Sequence, residues 1–133
     1  MQRQRLFLTG GFCMELKEVM EQEVFAVVGN TVSEEKYAYK IKKELAEGGY
    51  RVYGVGKELK SLNDIDADID IIDLCINAAL GINYIKECRK SFKCIVIQPG
   101  AEGPELIEYL KSSNLTFSEN CLLVGIEQFG RGK

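Results

Sequence analysis

Apolar residues fall along this chain in two alternating kinds of run. Val24-Phe25-Ala26-Val27-Val28 is unbroken and closed by Gly29, and Cys94-Ile95-Val96-Ile97 is unbroken and closed by Gln98-Pro99-Gly100. A continuous apolar run of this length reads as a strand buried on both faces, as in a parallel sheet. Tyr50 to Val55 gives a second strand, Ile69 to Ile76 a third, and Leu122-Leu123-Val124 a fifth, with Gly125 to Lys133 left as a tail. Between them the apolar residues take helical spacing. Leu16, Val19 and Met20 mark a helix over Met14 to Gln22. Tyr37, Ile41 and Leu45 mark one over Glu34 to Gly48, stopped by Gly48-Gly49. Ile82, Ile85 and Phe92 mark Gly81 to Phe92, and Leu106, Ile107 and Leu110 mark Glu105 to Lys111. The second and third strands are joined by a loop with one helical turn near Leu62 to Ile65.

Strands alternating with helices predict an α/β protein: one Rossmann-like, doubly wound, five-stranded parallel sheet with helices on both faces. The expected strand order is 3-2-1-4-5, which puts a ligand crevice at the carboxyl ends of the strands, between the first and fourth. At 133 residues the chain is one ordinary domain, long enough to bury roughly two-thirds of its unfolded surface. No repeat or linker divides it. The apolar share of 46% and charged share of 28% exclude a disordered or fibrous chain.

Charge and residue counts then remove whole classes of function. Seventeen basic against twenty acidic residues, with no basic cluster, point away from nucleic acid and anionic membranes. No apolar run approaches the ~18 residues of a membrane helix. Histidine is missing altogether, which excludes Ser-His-Asp or Cys-His catalysis, a phosphohistidine and a His-ligated metal within the chain. Five cysteines, Cys13, Cys75, Cys88, Cys94 and Cys121, form no CxxC pair and leave an odd thiol, the pattern of a reduced, cytoplasmic protein. Residues 1–13 carry two arginines before Leu6-Phe7-Leu8, too short a stretch for a secretion signal. They read as a disordered leader or tag-like extension ahead of a domain over 14–133.

The strand ends carry the candidate chemistry. After the first strand, Gly29-Asn30-Thr31-Val32-Ser33 is rich in small residues, and Thr31 with Glu34 fits a capping box. Amides at such a helix start favour a pyrophosphate, and Lys36 and Lys40 add positive charge. The dinucleotide fingerprint GxGxxG is missing, as is an acidic residue at the end of the second strand. That strand ends Val55-Gly56-Lys57, and a lysine there suits a ribose phosphate, as in coenzyme A or NADP, better than a bare ribose. Asn77-Ala78-Ala79-Leu80-Gly81 and Gln98-Pro99-Gly100-Ala101 leave open space over the same sheet end. Each of these features also has a plain structural use as turn or cap.

FAVVGNTVSEEKYAYKIKKELAEGGYRVYGV, DIDIIDLCIN and CIVIQPGAEGPELIEYLKSSNL together resemble the small stand-alone CoA-binding proteins, whose fold is similar to the amino-terminal domain of the succinyl-CoA synthetase alpha subunit. The resemblance implies that Gly29, Asn30, Thr31 and Ser33 meet the CoA phosphates. It implies that Val55, Gly56 and Lys57 border the adenosine, and that Asn77, Gln98, Pro99, Gly100 and Ala101 line the rest of the channel. Gly56 stands where the family usually has a proline, and the loop from Gly56 to Leu62 is short. The expectation is a cytosolic protein that binds CoA or an acyl-CoA without catalytic machinery of its own, with a homodimer or another protein partner left open. Two other readings stand beside it: an NADP- or other nucleotide-dependent enzyme using Tyr37, Tyr39 or Lys40 as acid/base groups, and an interaction module with a vestigial cleft. A thinner one is a mixed disulfide between Cys75 and the CoA thiol.

Overall fold

The computed structural model describes residues 14–131; the expected leader lies outside them. Five parallel strands form one sheet: β1 (Val24–Gly29), β2 (Arg51–Gly56), β3 (Ile71–Cys75), β4 (Cys94–Ile97) and β5 (Phe117–Glu119). Every residue of β1 and β4 is buried, as their unbroken apolar runs require. The helices are α1 (Leu16–Val19), α2 (Tyr37–Glu47), α3 (Ala78–Glu87), α4 (Pro104–Ser112) and α5 (Leu122–Phe129), with a 3-10 turn at Leu62–Asp64 between β2 and β3.

The five-stranded, doubly wound parallel sheet stands as expected, and its order is β2-β1-β3-β4-β5. The expected 3-2-1-4-5 is therefore corrected: β3 lies beside β1, not outside β2. The cause is the face on which the β2–β3 connection buries its apolar residues. Leu62, Ile65 and Ile69 pack with Ile85, Leu106 and Leu110 over one face of the sheet, whereas Ala38, Ile41 and Leu45 of α2 pack on the other. Parallel crossovers are right-handed, so a connection on the opposite face must run in the opposite direction across the sheet. Crossing back over β1 puts β3 between β1 and β4.

A second correction concerns the C-terminal segment. Leu122-Leu123-Val124 opens α5, and the fifth strand is Phe117–Glu119, paired with Ile95 to Ile97. Leu122 and Gly125 are the buried positions of α5, a spacing of three, and a Cβ on Gly125 would come within 2.9 Å of Leu16 and Met20. That bare face lets α5 lie close against α1. The other elements shift only at their ends: α2 begins at Tyr37 instead of Glu34, and α3 runs Ala78–Glu87 instead of Gly81–Phe92. At the amino end of the sheet Asp70 ties three strands together. Its Oδ2 accepts the amides of Glu23 (3.1 Å) and Val24 (2.9 Å), and its Oδ1 lies 3.3 Å from Lys93 Nζ.

Candidate functional site

The strand order creates a switch point between β1 and β3, where chain connections leave in opposite directions and a crevice opens over the carboxyl ends. There the structure has a cleft of about 380 Å³. Cys75, Ile76 and Asn77 line it from the end of β3, and Gln98, Pro99, Gly100 and Ala101 from the end of β4. Tyr37 closes it from the start of α2 and Cys121 from the residue before α5. No charged side chain lines it among the described residues.

The polar residues of this wall are largely committed elsewhere. Asn77 caps α3, its Oδ1 accepting the Leu80 amide at 3.0 Å. Gln98 is buried, and its Oε1 accepts the Leu122 amide at 2.8 Å, fixing the start of α5 to the end of β4. The Ala101 amide donates to the Gln98 carbonyl at 2.9 Å and the Gly100 amide to Glu102 Oε1 at 2.9 Å. What faces the cleft is mainly carbon, sulfur and backbone. Exposed apolar side chains lie on the flanking segments, Tyr37 at 67% and Leu80 at 47%. Such a wall suits an uncharged, flexible ligand arm better than a phosphate.

Gly29 and Gly56 let the turns after β1 and β2 close over this end of the sheet. Gly29 has φ +152, and a Cβ there would sit 2.6 Å from the Cys75 carbonyl oxygen. Gly56 has φ +125, with its Cβ position 2.9 Å from the Gly29 oxygen. The expected capping box does not form. Thr31 is buried and donates its hydroxyl to Glu58 Oε1 at 2.6 Å, while Lys42 Nζ donates to Glu58 Oε2 at 3.0 Å. Lys36 takes the N-cap position of α2 with no side-chain bond, so the first amides of that helix have no side-chain cap. Asn30 Oδ1 accepts the amides of Val32 (3.1 Å) and Ser33 (3.0 Å), and its Nδ2 donates to Ser33 Oγ at 3.1 Å. Lys57 is exposed at the tip of a tight turn, in which the Leu59 amide donates to the Gly54 carbonyl.

Of the residues expected at the site, Asn77, Gln98, Pro99, Gly100 and Ala101 meet in the cleft. Gly29, Asn30, Thr31, Ser33, Lys36, Val55, Gly56 and Lys57 belong to the turns after β1 and β2 and are not part of its lining. Sequence reasoning missed three things. Cys121 was hidden by the assignment of a strand where α5 begins. Glu58 puts a carboxylate beside the β1–α2 turn; burial opposes its ionisation, but the Thr31 hydroxyl and the Lys42 ammonium outweigh that and hold its pKa below the usual range. Asp73 is the third, and its signal was visible as an acid inside the apolar run IDIIDLCI.

Asp73 pairs in register with Val27 of β1 and Val96 of β4 and is fully buried. Its Oδ2 accepts the Cys75 thiol at 3.1 Å, and its Oδ1 has no hydrogen-bond partner among the described residues. Burial pushes its pKa up to about 7, which the Cys75 hydrogen bond only partly offsets. The Cys75 thiol is pushed up in turn, by burial first and then by the neighbouring Asp73.

Comparison with known proteins bears on this site. A protein family described as a CoA binding domain matches residues 23–127. Among solved structures, a conserved hypothetical protein from Pyrococcus furiosus is 27% identical with a TM-score of 0.71, over 77% of this chain and 98% of its own. A hypothetical protein from Pyrococcus horikoshii OT3 superposes with a TM-score of 0.77 at 23% identity, over 86% of this chain and 89% of its own. A Thermus thermophilus protein does so at 0.68 and 21%, over 87% and 99%. No protein of curated function matches the chain.

Proposed function

This chain belongs to the CoA-binding domain family, and on that premise we propose that it is a cytosolic protein that binds CoA or an acyl-CoA without catalytic machinery of its own. The observation that carries the reading is the uncharged cleft at the β1–β3 switch point, walled by Cys75 to Asn77 and Gln98 to Ala101. Pantetheine is a long neutral arm with two amides, and such a cleft can bury its methylenes while the backbone of the Gln98–Ala101 turn meets its polar atoms. The diphosphate then lies outside the cleft, over the Gly29–Ser33 turn and the first amides of α2, with Lys36 near it. Val55, Gly56 and Lys57 border the adenosine, Lys57 reaching its ribose phosphate as a point charge.

Glu58 favours a second reading. An ionised carboxylate beside the turn assigned to the phosphates opposes their binding. That suits an interaction module whose nucleotide cleft has lost its ligand. An NADP-dependent enzyme is supported less, because among the described residues no titratable side chain other than Tyr37 and the two thiols reaches the cleft.

Calorimetric titration with CoA, dephospho-CoA and NADP separates the three. CoA binding at micromolar strength with NADP silent upholds the proposal. Lys57→Ala should then weaken CoA about tenfold, the loss of one charge-assisted phosphate contact of roughly 1.4 kcal/mol, and dephospho-CoA much less. Silence from all three ligands makes the interaction module the leading reading. NADP binding as tight as CoA favours the enzyme.

A further inference from the structure

The pantetheine arm of CoA ends in a thiol, and the cleft assigned to it carries two thiols of its own. Cys75 lines it from the end of β3 and Cys121 from the residue before α5, so both thiols face the same cleft. Beneath Cys75 lies Asp73, a fully buried carboxyl that accepts the thiol hydrogen on one oxygen and has no partner among the described residues on the other. A buried acceptor left half unsatisfied is destabilising, and packing alone gives no reason for it between Val27 and Val96. A thiol facing a ligand cleft and a carboxyl behind it positioned to take its proton form a reactive arrangement.

We propose that Cys75, with Asp73 as its proton acceptor and Cys121 as the resolving thiol, carries out thiol–disulfide exchange with a CoA disulfide held in the cleft. The inference rests on the CoA reading above. In the first step the Cys75 proton passes to Asp73 Oδ2 as the sulfur attacks the S–S bond of the CoA disulfide. A bond forms between Cys75 and the CoA sulfur, the old S–S bond breaks, and the departing thiolate takes the proton from Asp73. In the second step the Cys121 sulfur attacks Cys75, closing a Cys75–Cys121 disulfide and expelling CoA as a thiolate, which takes the Cys121 proton. One CoA disulfide is thereby reduced to two thiols and the protein dithiol is oxidised, so the ligand is itself the oxidant. Burial and Asp73 keep Cys75 protonated at rest, which protects it from oxidants in bulk water. Once deprotonated, such a sulfur is a strong nucleophile, because nucleophilicity rises with pKa.

The test treats the reduced full-length protein with the symmetrical CoA disulfide or with cystamine, which has no nucleotide. Alkylation stops the reaction, and intact mass with peptide mapping reads the products. The expected result is a Cys75–Cys121 disulfide in the wild type and a CoA adduct on Cys75 in Cys121→Ser. Reaction with CoA disulfide should be about tenfold faster than with cystamine, and about tenfold slower in Asp73→Asn, which can accept the hydrogen bond but not the proton. Circular dichroism shows that each variant is folded. Adducts that form at the wild-type rate in Cys75→Ser, or that map to Cys88, overturn the inference. So does a protein that binds CoA in the calorimeter yet reacts with both disulfides at one rate. A protein silent to CoA, whose Cys75 still exchanges with cystamine in an Asp73-dependent way, overturns the ligand and upholds the thiol pair.

Discussion

Asp73 gives the residue scale its clearest physical handle. Its folded pKa of about 7 lies above the unfolded value near 3.8, so the folded state holds a proton that the unfolded chain has already released. Stability therefore falls as pH rises between those two values and levels off above the higher one. Between pH 5 and 8 the loss should be about 2–3 kcal/mol, and Asp73→Asn should remove it, leaving the variant more stable than wild type at pH 8. Urea unfolding at the two pH values measures this; an equal slope in both proteins would show that Asp73 is not the group responsible. Asp70 behaves in the opposite sense. Burial opposes its ionisation, but the Val24 and Glu23 amides and the Lys93 ammonium outweigh that and hold its pKa low. Its contribution is present above the unfolded pKa and is lost only as pH falls through the lower folded one, so it leaves the pH 5–8 window to Asp73. Gly29 is a separate case: with φ +152 and the Cys75 oxygen 2.6 Å from any Cβ, Gly29→Ala should cost about 3 kcal/mol in unfolding free energy.

At the scale of elements, the cleft depends on how α5 is attached. Gln98 at the end of β4 holds the first amide of α5, and Gly125 lets that helix approach α1. Gln98→Met keeps the volume but leaves the Leu122 amide without its buried partner, a loss of about 1–3 kcal/mol. The start of α5 should loosen first, and hydrogen exchange at Leu122 to Gly125 should rise well before exchange in β1 or β4 does. Uniform acceleration across the sheet would mean that Gln98 supports the core as a whole. The reading of Leu122-Leu123-Val124 as a strand failed at this same scale. Three apolar residues in a row fit either element, and the choice is made by Leu122 and Gly125 meeting α1, a contact with a segment roughly a hundred residues earlier.

For the whole molecule, two apolar layers on opposite faces of one sheet make unfolding cooperative, so a ligand held by four strand ends should stabilise all of it. CoA at about a hundred times its Kd should add about 2.7 kcal/mol, raising Tm by roughly 10 °C in a domain of this length. NADP at equal concentration should leave Tm unchanged. A thermal melt with both ligands checks the prediction without any substitution, and a rise with NADP alone would assign the cleft to the other nucleotide.

The α/β character of this protein is written locally along the chain. Unbroken apolar runs such as Val24 to Val28, alternating with amphipathic stretches such as Tyr37 to Leu45, are local records of burial, and each can be read without knowing its neighbours. The Asn77 and Gln98–Ala101 loops were legible for the same reason, since small residues and a Pro-Gly turn mark open space wherever they lie. Strand order was decided by the tertiary structure, because it depends on which face Leu62, Ile65 and Ile69 cover relative to α2. The hydrogen bonds were decided there too. Thr31 was free to cap its own helix or to bond Glu58, and Gln98 chose one amide among several. Such choices depend on groups far along the chain that only folding brings within 3 Å of each other. The Asp73–Cys75 pair follows the same logic: two residues apart, they face the same side of β3, but burial beneath α2 and α5 is what turns an acid and a thiol into a proton-sharing pair.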